Sequence, residues 1–392
     1  MQKRGHVLHI CTIVPSRKAG GNIAVLADAY MLKKVFGDVD YLGRYKPDNE
    51  FIQIYNTLYY DEKKFGRYEK ASNYLLNHYD DFYSFWKKIA GLIDFDAYKY
   101  IFLEMAKFEY IVQDLMKRSF KGCVILRSHN VEKYLFDALY SNDRTLINLL
   151  KKRSIGIKEQ KCLELSDAVL CITQNDAENI EEIYRIPASK IMVLPVGVEK
   201  GYENEFDIPS FDANKKKLTC LMTGSLWFGP NVTGIKWFIE NVYDSVSNIC
   251  NIVIAGFKPS NELIELCKKK KIKLIDSPDY MKPLFMDADL FLAPVFSGSG
   301  MKVKIAEAMS YGLPIVTTYH GAIGYEMVNE LDGYIADDRE MFIKCIRDYY
   351  NLKSESKLDF RKRVYKKFME LYSYDAMEKT MIQLIDSIDK CI

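Results

Sequence analysis

A chain of 392 residues is too long for one ordinary core and implies two domains of similar size. Its 55 Lys and Arg stand against 53 Asp and Glu, so no global excess of charge points to nucleic acid or to a strongly anionic surface. Nine cysteines, with no C-x-x-C pair and several inside apolar runs, argue against a disulfide framework and read as reduced, buried thiols.

The N-terminus enters a strand pattern at Val7-Leu8-His9-Ile10 without the apolar h-region of a signal peptide. No apolar run reaches the roughly 20 residues that span a bilayer. The expected location is cytoplasmic, with peripheral attachment to the inner membrane face as the closest approach to lipid. Along the chain, short apolar runs alternate with longer amphipathic stretches, the rhythm of β-α units around parallel sheets. Strands are expected at residues 6–14, 39–43, 98–105, 123–128, 168–173 and 191–196, then at 217–224, 251–256, 272–276, 290–295, 313–318 and 333–336. The two series predict an α/β protein of two doubly wound domains in tandem.

The first domain is expected over residues 1–200, a linker over 201–216, the second domain over 217–357, and C-terminal helices over 358–392. In the last stretch Met377, Met381, Leu384, Ile385 and Ile388 share one helical face, which can pack on either domain. Residues 45–95 form an insertion in which Tyr, Phe and Trp (Tyr59, Tyr60, Phe82, Phe85, Trp86) interleave with Lys and Arg. Such a surface suits a lipid headgroup layer or sugar rings. The preferred reading is an amphipathic insertion whose aromatics pack on the first domain.

The most informative stretch runs from Leu290 to Thr318. An apolar strand leads into Gly298-Ser299-Gly300, a helix from about Met301 to Tyr311 follows and ends at Gly312, and Pro314 opens the next strand. Backbone N–H groups at such a helix N-terminus, Met301 included, approach an anion closely. Lys302 and Lys304 in the first turn oppose the helix dipole unless an anion lies nearby, and a diphosphate supplies one. Glu307 shares their face and suits the paired hydrogen bonds of a ribose diol. The bland alternative has both lysines solvated and Glu307 paired with Lys304.

Other candidates stand at expected strand ends. Gly20 and Gly21 follow the first strand, and Gly224 and Ser225 end the first strand of the second domain, with Asn231 a candidate helix cap. His320 and Gly321 follow another strand. His129 follows the strand Val124-Ile125-Leu126 and suits proton transfer or acceptor binding, and Glu104, ending the strand Tyr100–Leu103, is a second candidate for that role.

The run from Gly298 to Pro314 resembles the donor-site motif of GT-B glycosyltransferases, in the family 4-like group with a "glycosyl transferases group 1" domain. Thr223 to Asn231 resembles the first strand and loop of that family's C-terminal domain, and Ser166 to Thr173 with Ile191 to Val198 the strands that close its N-terminal domain. Ser16 to Gly21 is similar to its Gly-rich first loop, and Arg127 to Glu132 to a His-bearing loop. The resemblance implies two Rossmann-like domains facing a central cleft, a nucleotide diphosphate-sugar donor, and a glycan, lipid-linked or protein acceptor of surface polysaccharide or glycoconjugate synthesis. It also implies hexosyl transfer with retention. Many members carry two glutamates separated by seven residues; here Glu307 matches the second and Ser299 stands at the first.

Cleavage of a sugar C1–O bond places negative charge on the diphosphate, which Lys302, Lys304 and the helix N-terminus neutralise. Neither a cofactor nor a metal is demanded. Two other readings stay open: a noncatalytic partner subunit of the same fold, which the missing first glutamate permits, and a sugar-nucleotide epimerase. A serine hydrolase at Ser299 ranks far below, because its elbow needs glycine where Ser297 stands.

Overall fold

The computed structural model describes residues 5–16, 20–61, 82–140, 146–212, 215–298 and 300–391. The chain divides into two compact units, one of Met1–Arg17, Gly21–Leu194 and Glu378–Ile392, the other of Lys18–Gly20 and Pro195–Met377.

In chain order the first unit holds β1 (Val7–Cys11), α1 (Gly20–Phe36), β2 (Val39–Gly43), β3 (Leu58–Tyr60), α2 (Phe82–Ile89), β4 (Tyr100–Glu104) and α3 (Glu109–Lys117). It continues through β5 (Cys123–Ser128), α4 (Glu132–Tyr140), α5 (Leu146–Leu165), β6 (Ala168–Cys171), α6 (Gln174–Tyr184) and β7 (Ile191–Val193). Its strands form one parallel sheet in the order β3-β2-β1-β4-β5-β6-β7. The central strands are buried on both faces, which is why they read as unbroken apolar runs. Leu8, Ile10, Ile101, Leu103, Val124 and Leu126 belong to one apolar cluster. The alternate residues His9, Glu104 and Arg127 carry polar groups into the interior and gather with Asp28 of α1.

The second unit holds β8 (Leu218–Ser225), α7 (Gly229–Asn241), α8 (Tyr243–Val246), β9 (Cys250–Phe257), α9 (Asn261–Lys270), β10 (Lys273–Asp276) and α10 (Lys282–Asp287). There follow β11 (Leu290–Ala293), α11 (Val303–Ser310), β12 (Ile315–Thr317), α12 (Tyr319–Ala322), β13 (Tyr334–Ile335), α13 (Arg339–Asn351) and α14 (Ser354–Leu371). Its parallel sheet runs β10-β9-β8-β11-β12-β13. Both sheets therefore reverse direction of growth once, between β1 and β4 and between β8 and β11. In open α/β sheets these switch points are where the carboxyl ends of strands leave a crevice for ligands.

Every expected strand is present, and eight of the twelve are shorter than expected. β3 is an addition: it lies in the aromatic insertion, whose turn-rich surroundings gave no strand rhythm. The helix α2 of that insertion buries Phe82, Phe85 and Trp86 in the core of the first unit, and Trp86 donates its indole N–H to Asp114 at 3.1 Å. Burial of a side chain like Phe85 stabilises by about 1.5–3 kcal/mol, so these aromatics serve the fold. Residues 62–81, with the aromatic and basic residues they contain, lie outside the described residues.

Residues 197–216, which carried little apolar periodicity, include buried Tyr202 and Ile208, and Val198 bridges to Ser373 within the second unit. The final helix α15 (Tyr374–Cys391) starts in the second unit, and from Glu378 onward it belongs to the first. Its Met377, Met381, Ile385 and Ile388 are buried, and Lys99 and Tyr100 reach Asp389 near its end. The eight cysteines whose side chains are described are all buried and form no disulfide.

Candidate active site

In the second unit, residues from either side of the β8/β11 switch point meet. Gly224, the last residue but one of β8, has φ +151°, a conformation L side chains rarely adopt, and a Cβ there would lie 2.8 Å from the Asn231 amide nitrogen. Asn231 is not the helix cap expected of it: α7 begins at Gly229 with Pro230 in its first turn, and Asn231 lies one residue further in. Its amide instead donates to Ser225 O at 3.2 Å and its Oδ1 accepts from Lys304 Nζ at 2.9 Å, joining the β8 loop to α11.

The helix α11 is shorter than expected. Lys302 is its N-cap rather than part of its first turn, and Met301 precedes it, buried. Lys302 has no side-chain oxygen to cap with; its Nζ folds back onto Gly300 O at 2.6 Å. Tyr325 supplies the missing cap, accepting from Ala306 N–H at 3.0 Å while donating to Lys302 O at 2.9 Å. Gly298 and Gly300 both have positive φ, +105° and +68°, so the loop can pass close to a ligand without Cβ strain. His320 pins this loop, its Nε2 lying 2.7 Å from Gly298 O, and Gly321 N–H donates to the Thr318 hydroxyl that caps α12. Ser299 lies outside the described residues.

Burial, reinforced by the neighbouring charge of Lys302, pulls the Lys304 ammonium down to about 8 against the opposing pull of Glu307. Burial also lowers His320, with Lys302 adding to it. Two cations crowded at a helix N-terminus are what an anionic ligand relieves.

In the first unit, His9 of β1, Glu104 closing β4 and His129 just after β5 come from three adjacent strands. Glu104 is fully buried, and both of its oxygens are engaged: Oε1 lies 2.6 Å from His9 Nε2, and Oε2 accepts from His129 Nε2. The His9 ring continues to Tyr55 OH, 3.2 Å from its Nδ1. Beside them Arg127 donates to Asp28 Oδ2 at 3.1 Å and to Leu194 O at 2.6 Å. Burial alone raises the Glu104 carboxyl, but His129, by charge and hydrogen bond, and then His9 outweigh it and hold it down to about 2. Glu104 stands at the end of its strand as expected, and there it is a carboxylate enclosed behind His129.

The loop bearing His129 is anchored from behind by Glu159 of α5. That fully buried carboxylate accepts from the N–H groups of Glu132 and Lys133 at 2.7 and 3.1 Å, capping α4, and from Tyr184 OH. Burial raises it to about 7 against those hydrogen bonds. Gly20 and Gly21, expected in a turn, are the first two residues of α1 and are exposed.

Residues 217–351 match the family model described as "Glycosyl transferases group 1". The match covers the second parallel sheet and the loop that bears Lys302 and Lys304. A curated relative from Klebsiella pneumoniae, an "uncharacterized 44.6 kDa protein in cps region", is 22% identical over 354 residues, 84% of this chain and 87% of that protein. The UDP-Gal:alpha-D-GlcNAc-diphosphoundecaprenol alpha-1,3-galactosyltransferase of Escherichia coli is 26% identical over 244 residues, 57% of this chain and 59% of that enzyme. Among solved structures, sucrose-phosphate synthase from Thermosynechococcus elongatus superposes with a TM-score of 0.71 at 14% identity, over 99% of this chain and 100% of that one, so the fold is GT-B.

The described residues hold one group spaced to take a metal: Asp28, Glu104 and His129. Most of its donor atoms serve other partners, Asp28 Oδ2 taking the Arg127 guanidinium and Glu104 taking two imidazoles, while Asp28 Oδ1 is buried with no hydrogen-bond partner among the described residues. Three Asp-x-Asp spacings occur as well, at 38–40, 94–96 and 287–289. Their aspartates support structure: Asp40 holds Tyr98 OH and Thr57 N–H, Asp94 accepts from Asp96 N–H, and Asp289 holds Thr219 N–H and Lys215. No described helix is long and apolar enough to cross a membrane.

Sequence reasoning passed over His9, Asp28, Arg127, Tyr325 and Glu159. Each except Tyr325 is a buried polar residue in an apolar or amphipathic run, and that mismatch was the available signal.

Proposed function

We propose that the second unit binds a nucleotide diphosphate-sugar donor and that the enzyme transfers its hexosyl group, with retention, to a glycan, lipid-linked or protein acceptor. The observation that carries this reading is the pair of lysines at the N-terminus of α11, with Lys304 tied to Asn231 from the other side of the switch point. Lys302, Lys304 and the N–H groups from Gly298 to Met301 receive the diphosphate, and Glu307 the ribose diol. His129 acts on the acceptor side, and Glu104 behind it sets its orientation. The leaving diphosphate is neutralised by fixed cations, so no metal or cofactor takes part. The place of action is the cytoplasmic side of a membrane, in surface polysaccharide or glycoconjugate synthesis; the named acceptor of the E. coli relative and the genetic setting of the Klebsiella one support this.

The test is a panel of UDP-, GDP- and ADP-sugars offered with and without polyprenyl-diphosphate-linked sugar. Release of nucleoside diphosphate that depends on acceptor is the expected result. Binding with no release under any acceptor identifies a noncatalytic subunit, and donor consumed without acceptor identifies an epimerase.

The depressed Lys304 adds a pH dependence. Free Lys304 is protonated below about pH 8 and loses its proton above it. A bound diphosphate favours the charged form, so binding takes up protons near that pH and affinity falls as pH rises further. Calorimetry in buffers of different ionisation enthalpy reads the uptake. Lys304→Arg, charged throughout this range, should bind with no such uptake; equal uptake in parent and variant would assign the effect elsewhere.

A further inference from the structure

We propose that His9 is a positioning residue: from the interior of β1 it holds the Glu104 carboxylate, which in turn fixes the proton of His129 on Nε2 and turns the bare Nδ1 outward. The proposal deepens the functional reading above and rests on it for its kinetic consequence.

The geometry comes from the topology. β1 and β4 are neighbours only because the sheet reverses there, and the His9–Glu104 hydrogen bond of 2.6 Å spans that reversal. His9 pairs in register with Phe102, two residues before Glu104 and on the same face of the sheet. Its ring is fixed edge-on against Phe102, with centroids 5.6 Å apart, and by the Tyr55 hydroxyl behind it. Nothing about β1 as a strand requires an imidazole at a fully buried site, where an aliphatic side chain costs no desolvation.

A carboxylate only accepts hydrogen bonds. Each imidazole nitrogen facing Glu104 must therefore carry a proton, which puts hydrogen on Nε2 of both His9 and His129. In the neutral ring the other nitrogen, Nδ1, is then an acceptor, and for His129 that is the atom able to take a proton from an acceptor hydroxyl. The surroundings leave one charge to place. Asp28 of α1, whose Oδ2 lies 4.0 Å from His129 Nε2, is balanced by Arg127 of β5. Glu104 of β4 remains as the anion facing His129, with His9 of β1 on its other oxygen and Tyr55 and Cys11 behind. His9 thus shares the Glu104 charge that would otherwise fall on His129 alone.

Removing His9 should make His129 harder to deprotonate. His9→Phe keeps the ring contacts and deletes the donor; His9→Gln returns an N–H toward Glu104. In His9→Phe the turnover number should fall roughly ten- to hundred-fold, as for a lost hydrogen bond to a buried charge, with the KM for donor unchanged. The acid limb of the pH–rate profile should move to higher pH, and His9→Gln should restore much of both. A fall in rate with an unmoved profile, shared equally by Phe and Gln, means a structural role only and overturns the proposal.

Imidazole 15N spectra of the whole chain supply a readout that needs no turnover and no variant. The parent should show His129 protonated on Nε2 and bare at Nδ1 when neutral; the opposite tautomer overturns the proposal even if His9→Phe fails to fold. If the parent transfers no sugar to any acceptor while the spectra show this tautomer and its dependence on His9, the coupling stands and the functional reading falls. If transfer is robust and the His129 ring titrates identically in parent and His9→Phe, the functional reading stands and the coupling falls.

Discussion

Replacing His129 by alanine should lower the rate of sugar transfer by roughly two to four orders of magnitude, the range that a positioned general acid or base contributes. Donor affinity should hardly change. His129 belongs to the first unit, and the groups proposed for the diphosphate, Lys302 and Lys304, are all in the second. The ring is almost fully buried, and its Nε2 is committed to Glu104, so one nitrogen remains for chemistry. Alanine also strands the Glu104 oxygen that His129 satisfies, and a buried unpaired charge costs stability. The variant must therefore be compared with the parent by circular dichroism and thermal melting before rates are read. His129→Asn, which returns an amide toward Glu104 without an ionisable ring, separates the two effects. A folded His129→Asn enzyme with the parent's rate would reduce His129 to a loop residue.

The second large effect is expected at the other end of the reaction. Lys302→Ala should weaken binding of the nucleoside diphosphate itself by roughly ten- to hundred-fold, the loss expected for one charge-assisted hydrogen bond to phosphate. The Lys302 ammonium bonds to Gly300 O at 2.6 Å, so it lies against the loop proposed to receive the diphosphate. Nucleoside monophosphate binding should lose less, since it lacks the second phosphate. Calorimetry with UDP, GDP and ADP reads the effect directly. Parent-like affinity for all three would remove Lys302 from the diphosphate site, and the neighbouring Lys304, still held by Asn231, would then carry that role alone.

The route from sequence to site was short in the second unit. Gly298, Gly300, Lys302, Lys304 and Glu307 lie within one strand-turn-helix unit, so their proximity follows from chain continuity. The turn-level details were less legible. Asn231 reads as a helix cap by residue type, but Pro230 at the start of α7 draws the helix boundary back to Gly229 and leaves the Asn231 amide to bridge Ser225 and Lys304. Lys302 falls at the N-cap, and Tyr325 provides the capping hydroxyl from across the chain, a role no local pattern announces.

By itself the sequence determined two parallel α/β sheets, the strand positions, the buried cysteines and the glycine-rich strand-turn-helix unit, because apolar period and glycine placement are local properties that survive any tertiary arrangement. It also marked His129 and Glu104 as strand-end residues. Only the tertiary structure decided that Glu104 is enclosed between two histidines, 95 residues from one and 25 from the other in sequence. Hydrophobic periodicity reports that a residue is buried but not which strand will lie beside it. The order β2-β1-β4-β5 brings β1 next to β4, and that adjacency, with Asp28 and Arg127 packed alongside, turns buried polar residues into one charge network.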